Sequence, residues 1–189
     1  SLKIAKAPFD DSRADIILRS SDSVNFRVFK IILSLASSVF ADMFNIPPPA
    51  SQKSSEELPV VTLSENSEAL DLALRHCYPI QSPELVKLHD ARILLEFARK
   101  YQVDLLSSTL KHFLTDNMER DPVGVYVLAG MYEYQNIAKD AARSTLKLPI
   151  SRLQSPELQY ATAEQHQLLI QYYVSCGAAA SAVTLERHW

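Results

Sequence analysis

The segment Val24–Phe44, VNFRVFKIILSLASSVFADMF, changes its apolar period from two to helical with no Gly or Pro to mark the change. Residues 24–29 alternate, with Val24, Phe26 and Val28 on one side and Asn25, Arg27 and Phe29 on the other. A period of two predicts a strand. From residue 31 the spacing becomes helical, and Ile31, Ile32 and Leu35 fall on one face. The Ser37 hydroxyl is placed to accept a backbone N–H two or three residues on and so to start a second helix. Val39, Phe40, Met43 and Phe44 form the buried stripe of that helix. These 21 patterned residues therefore specify strand, helix and helix, and they hold no catalytic set.

The surroundings complete an α+β unit. Residues 14–18 (ADIIL) suit a buried strand, and Ser20 to Ser23 make the polar turn of a hairpin with 24–29. Residues 45–58 hold three consecutive Pro and a Ser/Lys/Glu tail, which predicts an exposed, mobile loop. Residues 59–63 (PVVTL) form a strand, and Ser64 to Ser67 supply caps. Ala69, Leu70, Ala73, Leu74 and Cys77 mark a helix ending at Tyr78-Pro79, followed by helices at 90–101 and 104–117. Beyond Arg120 the pattern is all-helical. Asp121-Pro122 starts a helix over 122–132, and another spans 135–147. Ser155-Pro156-Glu157 opens a short turn. Thr162 with Gln165 reads as a capping box before a helix carrying Leu168, Leu169, Tyr172, Tyr173 and Cys176. The small-residue tail 177–189 is expected to fray.

Composition removes several function classes. Net charge is −3, and Lys and Arg never run to three in a row, so no nucleic-acid partner is expected. No apolar run reaches the ~18 residues of a membrane span, so no membrane partner is expected. Cys77 and Cys176 lack ligand spacing and read as free thiols of a reducing compartment, cytoplasmic or nuclear. The three Gly stand apart, without a phosphate-binding pattern. His76, His89, His112, His166 and His188 never pair at metal-ligand spacing, and Glu56-Glu57 fall in the loop. No catalytic residue, cofactor or metal is expected, and an enzyme with a dispersed site is the rival from another class. The tyrosines 126, 132, 134, 160, 172 and 173 read as helix packing rather than a peptide-binding surface.

Taken in order, ADIILRSSDSVNFRVFKIILSLASSVFADMF (14–44), PVVTL (59–63), ALDLALRHCYP (69–79) and RILLEFARKYQVDLLSSTLKHFL (92–114) resemble the BTB/POZ domain. The Pro-rich loop and the helical continuation look most like the BTB proteins numerous in mushroom-forming fungi. The resemblance implies a small sheet flanked by short helices over 12–118. A helical extension over 119–189 is similar to part of the BACK-like region that follows BTB domains. It implies a protein–protein interaction module, with a substrate adaptor of a cullin-type ubiquitin ligase as the first reading. A homodimerising scaffold or transcription-regulator-type protein is the alternative. Asp15 and Lys30 stand where dimeric members carry a charged pair. Asp42, Phe44, Asn45 and Ile46 fall on the surface expected to meet a cullin, together with the 69–78 helix and the helices after 119. The sequence departs from the family pattern in three places. Phe29 replaces the usual His, and residues 45–49 do not supply the apolar-x-Glu motif of many cullin binders. Only SLKIAKAPFDD precedes Ser12, too short for a swapped helix and strand, so self-association is expected to be weak.

Overall fold

In the computed structural model, residues 3–46 and 58–185 are described, with side chains to residue 183. The Pro triplet and most of the expected loop lie outside the described residues. Strands β1 (Lys3–Ile4), β2 (Ile16–Arg19), β3 (Val24–Val28) and β4 (Val60–Thr62) form a sheet of order β1-β3-β2-β4. The helices are α1 (Lys30–Ala36), α2 (Ser38–Asn45), α3 (Ser67–Cys77), α4 (Leu88–Tyr101), α5 (Ser107–Asp116), α6 (Pro122–Met131), α7 (Gln135–Thr145) and α8 (Ala163–Leu185). Packing divides the chain into two compact units. One holds residues up to 84 together with 93–107; the other holds 85–92 and everything from 108 on.

In the first unit, β2 and β3 make the expected hairpin, with Ile16 opposite Val28 and Arg19 opposite Asn25. β4 runs parallel to β2. Phe26 and Val28 are buried, as period two requires, but so is Asn25 on the other face. It is tolerated there because Arg19 Nε donates to its Oδ1 at 2.9 Å. The two-residue β1 carries no sequence signal. It pairs parallel with β3 and continues into Ala5 N–H, which donates to Asn25 O at 2.9 Å. Phe9 is then buried against Phe26 and edge-on to Tyr78, at centroid distances of 5.7 and 5.3 Å.

The second unit is helical. Asp121 caps α6 by accepting from Gly124 N–H at 2.8 Å, and Pro122 follows at the first helical position. Gly124 is required here. A Cβ would lie 2.6 Å from both Asp121 Oδ2 and Ser155 Oγ and 2.7 Å from Leu88 Cδ1. Val123, Leu153 and Leu169 form a buried cluster with Tyr126, Ala142, Leu148 and Tyr173 around it. Half of the expected capping box forms. Thr162 Oγ1 accepts from Gln165 N–H at 3.0 Å, but the Gln165 amide turns to Val127 O, 2.9 Å away on α6. Of the tail expected to fray, residues 177–185 continue α8, as suits their Ala run of high helix propensity, and 186–189 lie outside the described residues.

Candidate functional site

The patterned segment becomes α1 and α2, joined at Ser37. Ser37 is buried and serves both sides of the joint. Its Oγ accepts from Phe40 N–H at 3.0 Å, starting α2, and donates to Tyr101 O at the end of α4. Phe40 beneath it stacks on Tyr101 at 4.6 Å and lies 5.7 Å from Phe44 and 6.0 Å from Phe97. Each fully buried aromatic of this kind contributes ~1.5–3 kcal/mol through lost water contact. The aromatic stack fixes the angle at which α2 leaves α1. Phe44 is therefore half inside the stack, while Asp42, Asn45 and Ile46 are exposed, Ile46 to 69%.

Helix α1 turns the face shared by Ile31 and Leu35 outward. Leu33 is its buried residue. Ile31 and Leu35, one turn apart, are 64% and 82% exposed. They make an outward apolar stripe on the helix that leads into α2. The start of α1 is held from outside. Phe29, its N-cap, lacks a capping side chain, and Asp15 Oδ1 accepts from Lys30 N–H at 2.8 Å instead. Asp15 and Lys30 are thus brought together, but through the Lys30 main chain. Phe29 N–H donates to Tyr78 Oη at 2.9 Å. Burial pushes the Tyr78 hydroxyl up to about 12, so it stays protonated.

The far end of the unit is tied by a cluster that sequence reading missed. Glu65 accepts from Lys100 Nζ at 2.6 Å and from Tyr101 Oη at 2.8 Å. Burial alone would raise the Glu65 carboxyl, but these two hydrogen bonds, a backbone hydrogen bond and the Lys100 charge together hold it below its ordinary value. Asp22, in the hairpin turn, accepts from Ser67 N–H at 2.7 Å and Ser67 Oγ at 2.6 Å, which brings its carboxyl down to about 2. Neither acid carried a motif. Only their place beside helix starts or ends could have marked them.

The residues weighed for chemistry are occupied structurally. Burial pushes the Cys77 thiol up to about 12, which leaves no thiolate at neutral pH. His76 Nδ1 lies 2.9 Å from Leu72 O in the preceding turn. No group of three or more His, Cys, Asp or Glu able to hold a metal occurs among the described residues, nor is any described helix long and apolar enough to cross a membrane. Three of the six tyrosines make these contacts within their unit: Tyr126 Oη donates to Gln165 O at 3.1 Å, Tyr173 Oη to Leu148 O at 2.7 Å, and Tyr160 lies 4.1 Å under the Arg92 guanidinium.

The arrangement can bind, through an apolar stripe on α1 and a polar-rimmed end of α2 on a rigid base. The BTB/POZ domain family model matches residues 7–118. No curated protein matches the chain.

Proposed function

This chain belongs to the BTB/POZ family, and on that premise we propose that it is a protein adaptor whose α1–α2 segment receives a partner protein. BTB/POZ domains are interaction modules and mediate dimerisation; they are not typically enzymes. The observation that carries the proposal is the outward stripe of Ile31 and Leu35 leading to exposed Asp42, Asn45 and Ile46. Interfaces gain from a dehydrated apolar centre inside a polar rim. The partner class to which this surface is assigned is the N-terminal domain of a cullin, which makes the chain a substrate adaptor of a ubiquitin ligase in the cytoplasm or nucleus. In this reading residues 12–118 are the docking domain and 119–189 its helical extension. The Pro-rich 45–58 segment and that extension support kinship with the expanded BTB set of mushroom-forming fungi. The absent apolar-x-Glu motif makes binding weaker than in members that carry it, since a few central contacts supply most of an interface's energy.

Calorimetry against a cullin N-terminal domain tests the proposal. Binding in the micromolar range is expected, lost in Asp42→Lys with the fold intact. Phe44→Ala reports how far the surface depends on the aromatic stack. No heat and no co-elution at tens of micromolar removes the cullin reading.

The same stripe favours a second reading, weak self-association. A stable interface buries ~1,200–2,000 Å² in total, and the strip offered by α1 and α2, of 7 and 8 residues, is short. Sedimentation should show a dimer only at high concentration, abolished by Leu35→Glu. A tight dimer at low micromolar concentration would overturn the expectation of weakness, and Lys30→Glu would then test the Asp15–Lys30 region.

A further inference from the structure

The helical unit carries an open groove of about 590 Å³ between α7 and α8. Its α7 wall is low where Ala138 and Ala142, one turn apart, line it. Its α8 wall is Leu168 and Tyr172, also one turn apart, and Leu168 is 53% exposed although it lines a concavity. Tyr126 forms part of the floor, fixed by its hydrogen bond to Gln165 O. The α7 rim above the alanines is cationic: Lys139 and Arg143 follow at a spacing of four, and among the described residues no carboxylate lines the groove. Asp140 pairs with Arg143 at 2.8 Å, but both groups are largely exposed, so the pair is weak, and among the described residues Lys139 forms no ion pair.

We propose that this groove docks an acidic amphipathic helix of a partner protein. The apolar walls call for an apolar stripe, and the Lys139–Arg143 rim selects carboxylates beside it. A helix suits better than an extended strand. Both walls are helices whose main-chain groups are already bonded internally, so a strand would find no backbone partners, whereas a helix satisfies its own. The residues at one-turn spacing on both walls match anchors at one-turn spacing on the incoming helix. This site is separate from the α1–α2 surface, and it stands or falls independently of cullin binding.

The probe is a fluorescein-labelled peptide of about 14 residues with Leu at i, i+3, i+4 and i+7 and Glu on its polar face, paired with a twin in which every Glu is Lys. Anisotropy with the full chain should show saturable binding of the Glu peptide and at least ~tenfold weaker binding of the Lys twin, a difference of ~1.4 kcal/mol. The double variant Lys139→Glu/Arg143→Glu should reverse that order, and Leu168→Asp should weaken both peptides, with circular dichroism confirming the fold of each. Equal affinity for the two peptides, no saturable binding of the Glu peptide at about 100 μM (a Kd far weaker than a docking site requires), or an unchanged order in the double variant overturns the proposal.

Discussion

The two compact units both close around apolar cores but differ in how deeply their ion pairs are buried: Lys100 beside Glu65 in the first is 46% exposed, whereas both partners of the second unit's deepest pair are buried. In the first, aromatic and aliphatic side chains meet directly: Phe9, Phe26 and Tyr78 at one place, Phe40, Phe97 and Tyr101 at another. In the second, the buried apolar cluster around Val123, Leu153 and Leu169 is supplemented by polar ties. Ser155 Oγ donates to Asp121 Oδ2 at 2.7 Å, and Gln165 spans to α6. Arg92 and Glu157 form an ion pair at 3.5 Å with side chains only 10% and 5% exposed. Apolar contacts degrade gradually when trimmed, whereas a buried charge without its partner is costly at once. The first unit should thus tolerate volume-conserving change and the second should depend on particular partners.

The sharpest break of this contrast is truncation. A fragment of 119–189 keeps Glu157 but loses Arg92, and it loses Leu88, which packs at Gly124. Its first two helices, α6 and α7, are 10 and 11 residues long, and isolated helices below ~12–15 residues are marginal in water. The fragment should show no cooperative thermal transition; a sharp one by calorimetry would refute the dependence on the missing residues.

Point substitutions come next. Phe40→Ala should cost ~3–5 kcal/mol in chemical denaturation, through lost area and a residual cavity. Arg92→Met should cost a similar ~3–5 kcal/mol by leaving Glu157 as a buried charge, and the double variant Arg92→Met/Glu157→Leu should recover most of it. Failure of the double variant to recover would show that the pair's other contacts, such as the Arg92–Tyr160 stack, dominate.

What the sequence announced and what it concealed follow the same division. The period change at 24–44 and the caps at Ser37, Asn66 and Asp121 are local signals, and the structure realises each as a side-chain oxygen accepting an N–H. The outward turn of Ile31 and Leu35 was not legible, because helical spacing gives a shared face but not its direction. Arg92 and Glu157 are 65 positions apart by subtraction of their numbers, and no motif joins them. Gln165 was misassigned because its amide reaches a carbonyl of α6, far in sequence, in preference to its own helix start. The exposure of Asp42, Asn45 and Ile46 was readable from the end of the α2 stripe, while the groove depends on alanines that carry no signal of their own.

Ser37→Ala should cost ~1–3 kcal/mol, since it removes the α2 cap and strips the Tyr101 carbonyl of its donor. A loss confined to ~0.5 kcal/mol would mean that water replaces the hydroxyl.

Acid should then weaken the first unit through Asp22. Its folded value, about 2, lies below the ordinary 3.8, so its contribution is fully present above about 4 and is lost as pH falls toward 2. Asp22→Asn should flatten the stability profile between those values while leaving the slope above pH 5 unchanged. An unaltered acid limb would place the sensitivity elsewhere, with Glu65 the next carboxyl to test.

The smallest effect compares one backbone device in the two units. Gln102, after α4, and Glu133, after α6, both have positive φ, 50° and 61°. Both helices end with an N–H reaching back five residues, Val103 to Ala98 O at 2.9 Å and Tyr134 to Ala129 O at 2.8 Å. Glycine is the usual residue at such a position because a Cβ is strained there. Glu133 is exposed, and Glu133→Gly should stabilise by ~0.5–1 kcal/mol, the relieved strain exceeding the added freedom of the unfolded chain. Gln102 differs because its Oε1 accepts from Ser38 Oγ at 2.7 Å, at the first turn of α2. Gln102→Gly relieves the same strain but gives up that hydrogen bond, worth ~0.5–1.5 kcal/mol, and should come out near neutral. Parallel denaturation of the two variants decides it. Equal gains would mean that the Gln102–Ser38 contact adds nothing, and a loss at Glu133 would mean that its carboxylate has a stabilising role in the second unit.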